Sequence, residues 1–157
     1  MVKVELVKQK GYNFLWIDEY LWMWDIPRER RIQKQLADEA YGDVLVAGYG
    51  LGIIQECLLQ NPKVTSVTTV EKLKEVLELV KSEYGKLHGS VELADFYKYN
   101  TTTQFDCVIG DIWDDIDSSN LNVYKKFKAK AKTLLKPNGN VLGWGADYFE
   151  FLIKQEK

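Results

Sequence analysis

A glycine-rich turn and acidic residues at the ends of apolar runs are the residues whose types and spacing could do chemistry. The stretch DVLVAGYGLG places Gly48, Gly50 and Gly52 at alternate positions, directly before a helix-like segment. Glycines there allow a tight turn and a close approach of the backbone to a ligand, and a helix start offers free N–H groups. Glu71 follows at the end of VTSVTTV, a distance at which an acid can accept both hydroxyls of a ribose. The turn alone is weak evidence, but together with Glu71 it favours a nucleotide-like ligand.

Two further acids stand at comparable positions. Asp95 follows the apolar run that ends at Leu93, and Asp111 follows the run FDCVIG. In parallel sheets, ligands bind beyond the carboxyl ends of the strands, so we expect these acids and the glycine turn to share one crevice. A carboxylate such as Asp111 can there remove or orient the proton of a nucleophile.

The elements that must position these residues alternate between strand and helix from Asp43 onward. Strands are predicted at residues 44–46, 64–70, 91–93, 105–109 and 141–144, which indicates a parallel sheet with helices on both faces. Alternating apolar residues at 2–7 and short apolar runs at 14–17 and 20–24 predict a small antiparallel meander before it. The fold class is therefore α/β and Rossmann-like. We expect a single domain over residues 1–157, with the meander at 1–25 and the core at 26–157.

Local signals also predict where helices begin and end. Asp25 is expected to cap the first helix, and Gly42 to close it. Ile32, Leu36 and Ala40 are spaced by four and should face inward. The sequence KPNG at residues 136–139 is expected to end the helix that starts near residue 120.

The pattern resembles the class I S-adenosylmethionine-dependent methyltransferases, and within them the spermidine-synthase-like branch most closely. The resemblance covers most of the chain and implies a truncated form of that fold, with S-adenosylmethionine as cofactor. It implies a catalytic role for Asp111, which in aminopropyltransferases assists deprotonation of the attacking amine. The cofactor-binding residues that it implies are Gly48, Tyr49, Gly50 and Gly52 at the methionine part, Glu71 with Lys72 at the ribose, Asp95 and Phe96 at the adenine, and Asp111, Ile112 and Trp113 flanking the site.

The leading hypothesis from this resemblance is a methyltransferase that acts on a small-molecule amine or hydroxyl. The ring of Tyr49 or Trp113 could face the sulfonium cation. A spermidine-synthase-like aminopropyltransferase and a non-catalytic binding module stay open as alternatives. Val46 and Leu51 stand where relatives carry an acid for the cofactor's amino group, which argues against the aminopropyltransferase and supports the module.

Other function classes are disfavoured by particular residues. A dinucleotide-dependent oxidoreductase needs a small residue where Ile53 stands. Among the 157 residues, 21 Lys and Arg balance 23 Asp and Glu, so no nucleic-acid footprint is expected. The cluster of Arg28, Arg30 and Arg31 fits a solvated helix face. No stretch is long and apolar enough for a membrane span, and no signal peptide opens the chain, so the default expectation is a cytoplasmic protein.

Further single-residue expectations concern metals, thiols and packing. Asp114, Asp115 and Asp117, with Asp111, could hold Mg²⁺, but a solvated acidic loop is favoured and no metal is expected. Cys57 and Cys107 are expected to be buried thiols, and His88 a surface residue. The tryptophans at positions 16, 22 and 24 are expected either to pack in the core or to form a pocket wall.

The few apolar residues after the fifth predicted strand, which include Phe149, Phe151, Leu152 and Ile153, can supply one short element at most. An exposed sheet edge would then need covering. We therefore expect a homodimer, or masking of this edge by the meander.

Overall fold

The computed structural model describes residues 2–113 and 116–156, and within them an antiparallel sheet of three strands precedes a parallel sheet of five. No described helix is long and apolar enough to span a membrane. The strands are β1 (Val4–Gln9), β2 (Tyr12–Ile17), β3 (Tyr20–Trp24), β4 (Gly42–Ala47), β5 (Val64–Glu71), β6 (Ser90–Leu93), β7 (Phe105–Gly110) and β8 (Leu135–Gly143). The helices are α1 (Pro27–Asp38), α2 (Ile53–Gln60), α3 (Lys74–Tyr84), α4 (Leu121–Leu134) and α5 (Ala146–Gln155).

The parallel sheet has the strand order β6-β5-β4-β7-β8, with β4 in the centre. Val44, Leu45, Val46 and Ala47 are all buried, because helices cover both faces of this central strand. The predicted α/β class and the predicted parallel sheet are thereby confirmed. The order also brings the carboxyl ends of β5, β4 and β7 side by side at one edge of the sheet.

Two helical layers enclose the sheet. On one face, α1 and α2 pack through Ala37 and Leu58 against Val44 and Ile109. On the other face, Tyr124 and Phe127 of α4 and Phe149 of α5 form a cluster with alternate residues of the same strands, which include Leu45 and Val108. The single short element predicted after the fifth strand is α5.

The meander is confirmed as an antiparallel sheet with two tight turns. Lys10 and Gly11 have φ angles of 53° and 82°, and Asp18 and Glu19 have 48° and 69°, the left-handed conformations of short hairpin turns. Leu15 and Met23 pack in a cluster with Val76 of α3 and Tyr49 of the glycine turn. The expectation that the meander masks the edge strand β8 is wrong, because its apolar face covers α3 and the glycine turn instead.

The predicted ends of α1 need correction. Asp25 does not cap the helix: the N-cap is Ile26, without a side-chain hydrogen bond, and the helix ends at Asp38. The Asp25 carboxylate instead accepts hydrogen bonds from the backbone N–H of Asn13 in the meander at 2.6 Å and from the hydroxyl of Tyr84, at the end of α3, at 2.7 Å. Gly42 begins β4 rather than closing the helix.

Helix α4 ends at Leu134, directly before the segment at 136–139, as the sequence predicts, but this segment lies within strand β8 rather than in a loop before it. The strand lies at the edge of the sheet and, among the described strands, pairs with β7, in an irregular register near Phe105. A proline is tolerated in an edge strand, where one side of the backbone makes no ladder hydrogen bonds.

Candidate active site

All of the predicted site residues except Gly52 line one cleft at the carboxyl edge of the parallel sheet. The cleft has a volume of about 1150 Å³, and its walls include Gly48 and Gly50, Glu71, Asp95 and Asp111. The two glycines, Asp95 and Asp111 follow β4, β6 and β7, and Glu71 is the last residue of β5. The shared crevice expected from the sequence is therefore present, and it has room for a ligand of nucleoside size.

The glycine turn at residues 48–52 takes a backbone shape that side chains would oppose. Gly48, Gly50 and Gly52 have φ angles of 90°, 56° and 77°. A Cβ atom on Gly50 would lie 2.5 Å from the sulfur of Met23. That sulfur also accepts a hydrogen bond from the Leu51 N–H at 3.4 Å. The meander therefore contacts the turn through Met23, and both the left-handed backbone and this contact favour glycine at position 50.

Glu71 ties the glycine turn to the end of β5. Its Oε1 accepts the backbone N–H of Tyr49 at 2.9 Å, and its Oε2 accepts the N–H of Leu73 at 2.9 Å. Each carboxylate oxygen can accept a second hydrogen bond, so the pair still has capacity for two hydroxyl donors from a ligand. Lys72, the next residue, is exposed at the rim of the cleft.

Asp95 begins a short 3-10 turn, Phe96–Lys98, and its Oδ1 accepts the Tyr97 N–H at 2.9 Å. Phe96 is 6% exposed and stacks on Phe127 with ring centroids 5.4 Å apart. The ring of Tyr97 stands under the ammonium of Lys126 at 4.1 Å. This side of the cleft therefore combines a carboxylate with apolar and aromatic surface.

Asp111 stands half-buried just after β7 and is held from α1. Nε2 of Gln33 donates to Oδ2 of Asp111 at 2.9 Å and to Oε1 of Glu29 at 2.9 Å. Burial, and then the negative charge of Glu29, raise the pKa of Asp111 to about 6, although the hydrogen bond from Gln33 opposes the shift. Asp111 is therefore ionised at pH 7.5, with a pKa close enough to neutrality for a general base.

Gln33 is the site residue that the sequence interpretation missed. The apolar spacing favoured Ile32 and Leu36 as the inward face of α1, but both are half-buried, whereas Gln33 and Ala37 are buried. The signal that could have found Gln33 is its place four residues after Glu29 and four before Ala37, on one helical face.

The rings of Tyr49 and Trp113 are packed into the protein, not laid across the cleft. Tyr49 is 2% exposed, and its hydroxyl accepts the His88 N–H at 2.8 Å. Trp113 is 4% exposed, and its indole N–H donates to the carbonyl of Trp144 at 2.9 Å. The half-buried side chain of Ile112 lies beside them at the cleft wall. Burial leaves both rings little surface to offer a sulfonium.

The meander contributes the exposed aromatic surface of the cleft. Trp22 and Trp24 are 41% and 37% exposed and both line the cleft, so the pocket-wall alternative is supported for these two residues. Phe14 packs edge-on against Trp24 at 6.0 Å and holds its ring in place. Trp16 is half-buried in β2 and is not part of the cleft lining.

Val46 and Leu51, at the two positions where the resemblance implies an acid, are 3% and 4% exposed. Val46 packs with the α1 and α2 layer, and Leu51 with the meander and α3. Neither position can offer a charge to a cofactor's amino group.

The remaining expectations concern metals and thiols. Among residues 2–113 and 116–156, no group of three His, Cys, Asp or Glu side chains is arranged to hold a metal ion. Asp114 and Asp115 lie outside the described residues, and Asp117 is exposed and accepts the Ser119 N–H. Both cysteines are free thiols, with Cys107 buried as predicted and Cys57 half-buried. His88 is half-buried rather than a surface residue.

The chain is similar in sequence to one methyltransferase and in fold to several others. No protein-family profile matches the chain. The chain is 31% identical over 104 residues to the ribosomal RNA small subunit methyltransferase A of Flavobacterium johnsoniae, an alignment that covers 64% of this chain and 34% of the relative. Among solved structures, a DhpI complex with SAH superposes with a TM-score of 0.56 and 18% identity, over 74% of this chain and 54% of that one. An S-adenosylmethionine-dependent methyltransferase from Clostridium acetobutylicum superposes with a TM-score of 0.53 and 19% identity, over 76% and 50%.

These similarities identify the fold as that of the class I S-adenosylmethionine-dependent methyltransferases. The chain spans about a third of the length of the curated relative and about half of the solved structures. The narrower resemblance to the spermidine-synthase-like branch stays a prediction.

Proposed function

We propose that the chain binds S-adenosylmethionine in the cleft and catalyses transfer of its methyl group to a small-molecule amine or hydroxyl. The observation that carries this proposal is the convergence of the glycine turn, Glu71, Asp95 and Asp111 on one cleft after four adjacent strands. A single acid at the end of a strand is frequent in α/β proteins. Three acids and a glycine turn that line one edge of the sheet match what an adenosine-containing ligand needs.

The residues present fit the adenosine half of this cofactor. Glu71 retains two acceptor positions for the ribose hydroxyls, and Asp95 with Phe96 offers a polar and an apolar contact for the adenine. The backbone at Gly48, where a Cβ atom would meet only the Ile112 side chain at 3.5 Å, leaves room for the chain that links ribose to sulfur. The ammonium of the methionine part would lack its usual carboxylate partner, since Val46 and Leu51 are apolar, and we expect weaker binding on this account.

Catalysis is assigned to Asp111, which Gln33 holds at the cleft wall. When bound, the cofactor supplies a methyl group on a sulfonium sulfur, which an acceptor's lone pair takes up as the carbon–sulfur bond breaks onto sulfur. Asp111 accepts the proton that the acceptor nitrogen or oxygen loses, and its raised pKa of about 6 suits that task near neutral pH. The walls of the cleft position the acceptor and exclude water, which is the larger contribution in such transfers.

A second candidate acceptor is RNA, because the curated relative is named a ribosomal RNA methyltransferase. The net charge of −2 and the carboxylates of Glu29 and Asp111 at the cleft weigh against a phosphate-rich acceptor. Leu51 argues against an aminopropyltransferase, because it is apolar where the resemblance implies an acid. A binding module without catalysis is the remaining alternative, and Val46 and Leu51 favour it.

Calorimetric titration with S-adenosylhomocysteine, followed by transfer assays with labelled S-adenosylmethionine, tests the proposal. Acceptors in the assays are a panel of small amines and alcohols, with small-subunit ribosomal RNA as a separate arm. We expect binding at one site and label on small molecules. Label on RNA alone would transfer the assignment to the second candidate, and binding without any transfer would favour the module. Absence of binding would remove the proposal.

A further inference from the structure

The polar cluster around Gln33 has more hydrogen-bond acceptors than donors. The Gln33 amide spends both of its N–H groups, one on Glu29 and one on Asp111. Its own Oε1 has no hydrogen-bond partner among the described residues, although Gln33 is 1% exposed. In the part of the chain that the structure describes, no ion pair joins a Lys or Arg to Glu29 or Asp111 either. The carboxylates of Glu29 and Asp111 and the carbonyl of Gln33 therefore share the two N–H groups of Gln33. The cluster can accept hydrogen bonds from a further N–H donor.

The cluster lines the same cleft as two exposed indoles. Trp22 and Trp24 occupy alternate positions of β3 and so share a face, and α1 begins three residues after Trp24. Two large aromatic side chains left about 40% exposed at a cleft mark a surface that a ligand can cover.

Of the three described cations that line the cleft, none forms an ion pair with Glu29 or Asp111. Lys126 stands over Tyr97 on the Asp95 side, and Lys72 follows Glu71 on the glycine-turn side. Arg28, next to Glu29 in the chain, also lines the cleft and is exposed. The part of the cleft lined by β3, α1 and the end of β7 thus contains two carboxylates and two indoles but one arginine.

We propose that this part of the cleft binds the acceptor as a protonated amine carried on an aromatic or other flat apolar body. The ammonium lies between Glu29 and Asp111 and supplies the donors that the Gln33 cluster lacks, and the apolar body lies against Trp22 and Trp24. This inference rests on the proposed function and narrows its acceptor from amine or hydroxyl to amine. Asp111 then takes one proton from the ammonium before the freed lone pair attacks, and Glu29 keeps its charge to hold the amine.

Competitive titration of the protein saturated with S-adenosylhomocysteine tests the amine preference. The probes are two matched pairs, phenethylamine with 2-phenylethanol and tryptamine with tryptophol, which differ only in the amine and hydroxyl. A charge-assisted hydrogen bond to a carboxylate predicts at least about tenfold tighter binding of one amine than of its alcohol. Equal binding within each pair, or no binding of either amine, would overturn the inference.

Two variants and a control locate the preference. Glu29→Gln keeps the acceptor for Gln33 but removes the charge, so it should lose most of the amine preference and keep the affinity for S-adenosylhomocysteine. Trp22→Ala should weaken an amine and its alcohol alike. Glu39→Gln, an exposed acid beyond the other end of α1 and outside the cleft, should change neither. If S-adenosylhomocysteine binds and Glu29→Gln keeps the full preference, this inference fails alone. If S-adenosylhomocysteine does not bind, the proposed function fails with it.

Discussion

Replacement of Asp111 by asparagine is expected to stabilise the fold at alkaline pH while it removes methyl transfer. Asparagine keeps an oxygen that can accept the hydrogen bond from Gln33, and it carries no charge into the half-buried position. Burial raises the pKa of Asp111 from 3.8 to about 6, so the ionised carboxylate opposes folding. The substitution removes that opposition, and it also removes the group that accepts the acceptor's proton.

The size of the gain follows from the pKa. Below pH 3.8 the carboxyl group is protonated in both folded and unfolded chains, and the substitution changes little. Between pH 3.8 and about 6 the unfolded chain has lost the proton that the folded chain still holds, so stability falls as pH rises across this range and levels off above it. At about 1.4 kcal/mol per pKa unit, the raised pKa lowers the free energy of unfolding by about 1.6 kcal/mol at pH 5 and about 3 kcal/mol at pH 8. For a chain of this length, the value at pH 8 corresponds to a rise in Tm of roughly 6–12 °C.

Urea denaturation of the parent and of Asp111→Asn at pH 5 and pH 8 measures this difference. We expect the asparagine variant to be more stable at both pH values, and its advantage to be about 1.4 kcal/mol larger at pH 8. Asp147→Asn, at an exposed position in the first turn of α5, is the matched control and should change stability by less than about 0.5 kcal/mol at either pH. An advantage that is absent, or equal at the two pH values, would refute the desolvation of Asp111. In the transfer assay we expect a loss of about 100-fold or more with cofactor affinity kept.

Three further substitutions test the turn, the ribose contact and the attachment of the meander. Gly50→Ala should cost about 1–2 kcal/mol in urea denaturation, because a left-handed backbone and the sulfur of Met23 both oppose a Cβ; unchanged stability would show that the turn is free to move. Glu71→Gln should weaken S-adenosylhomocysteine binding in calorimetry by about 10- to 100-fold, since ribose hydroxyls lose a charged acceptor; equal affinity would contradict the ribose role. Tyr84→Phe removes the hydroxyl that donates to Asp25 and should lower the free energy of unfolding by about 1–3 kcal/mol, whereas an unchanged Tm would show that this bond does not hold the meander.

Much of the fold could be predicted because its signals are local in the chain. The run of buried apolar residues at the start of DVLVAGYGLG marks a central parallel strand, and the glycines after it mark the turn. The positions of Glu71, Asp95 and Asp111 at the cleft follow from parallel topology alone, since the ends of all such strands meet at one edge.

The features that could not be predicted depend on partners distant in the chain. Gln33 acquires its role because α1 crosses near the end of β7, which brings it to Asp111, 78 residues further on. Asp25 has the sequence context of a helix cap, but the hydroxyl of Tyr84, 59 residues away, and the backbone of Asn13 compete for its carboxylate. Pro137 has the context of a helix stop, and only the edge position of β8 makes it acceptable within a strand.

A crystal structure of the chain with S-adenosylhomocysteine tests the central claim most directly. We expect the ligand in the cleft, with both ribose hydroxyls within hydrogen-bond distance of Glu71, the adenine beside Asp95 and Phe96, and the sulfur on the side of Asp111. A ligand bound elsewhere, or bound in the cleft with its ribose away from Glu71, would contradict the assignment of this edge of the sheet as a cofactor site.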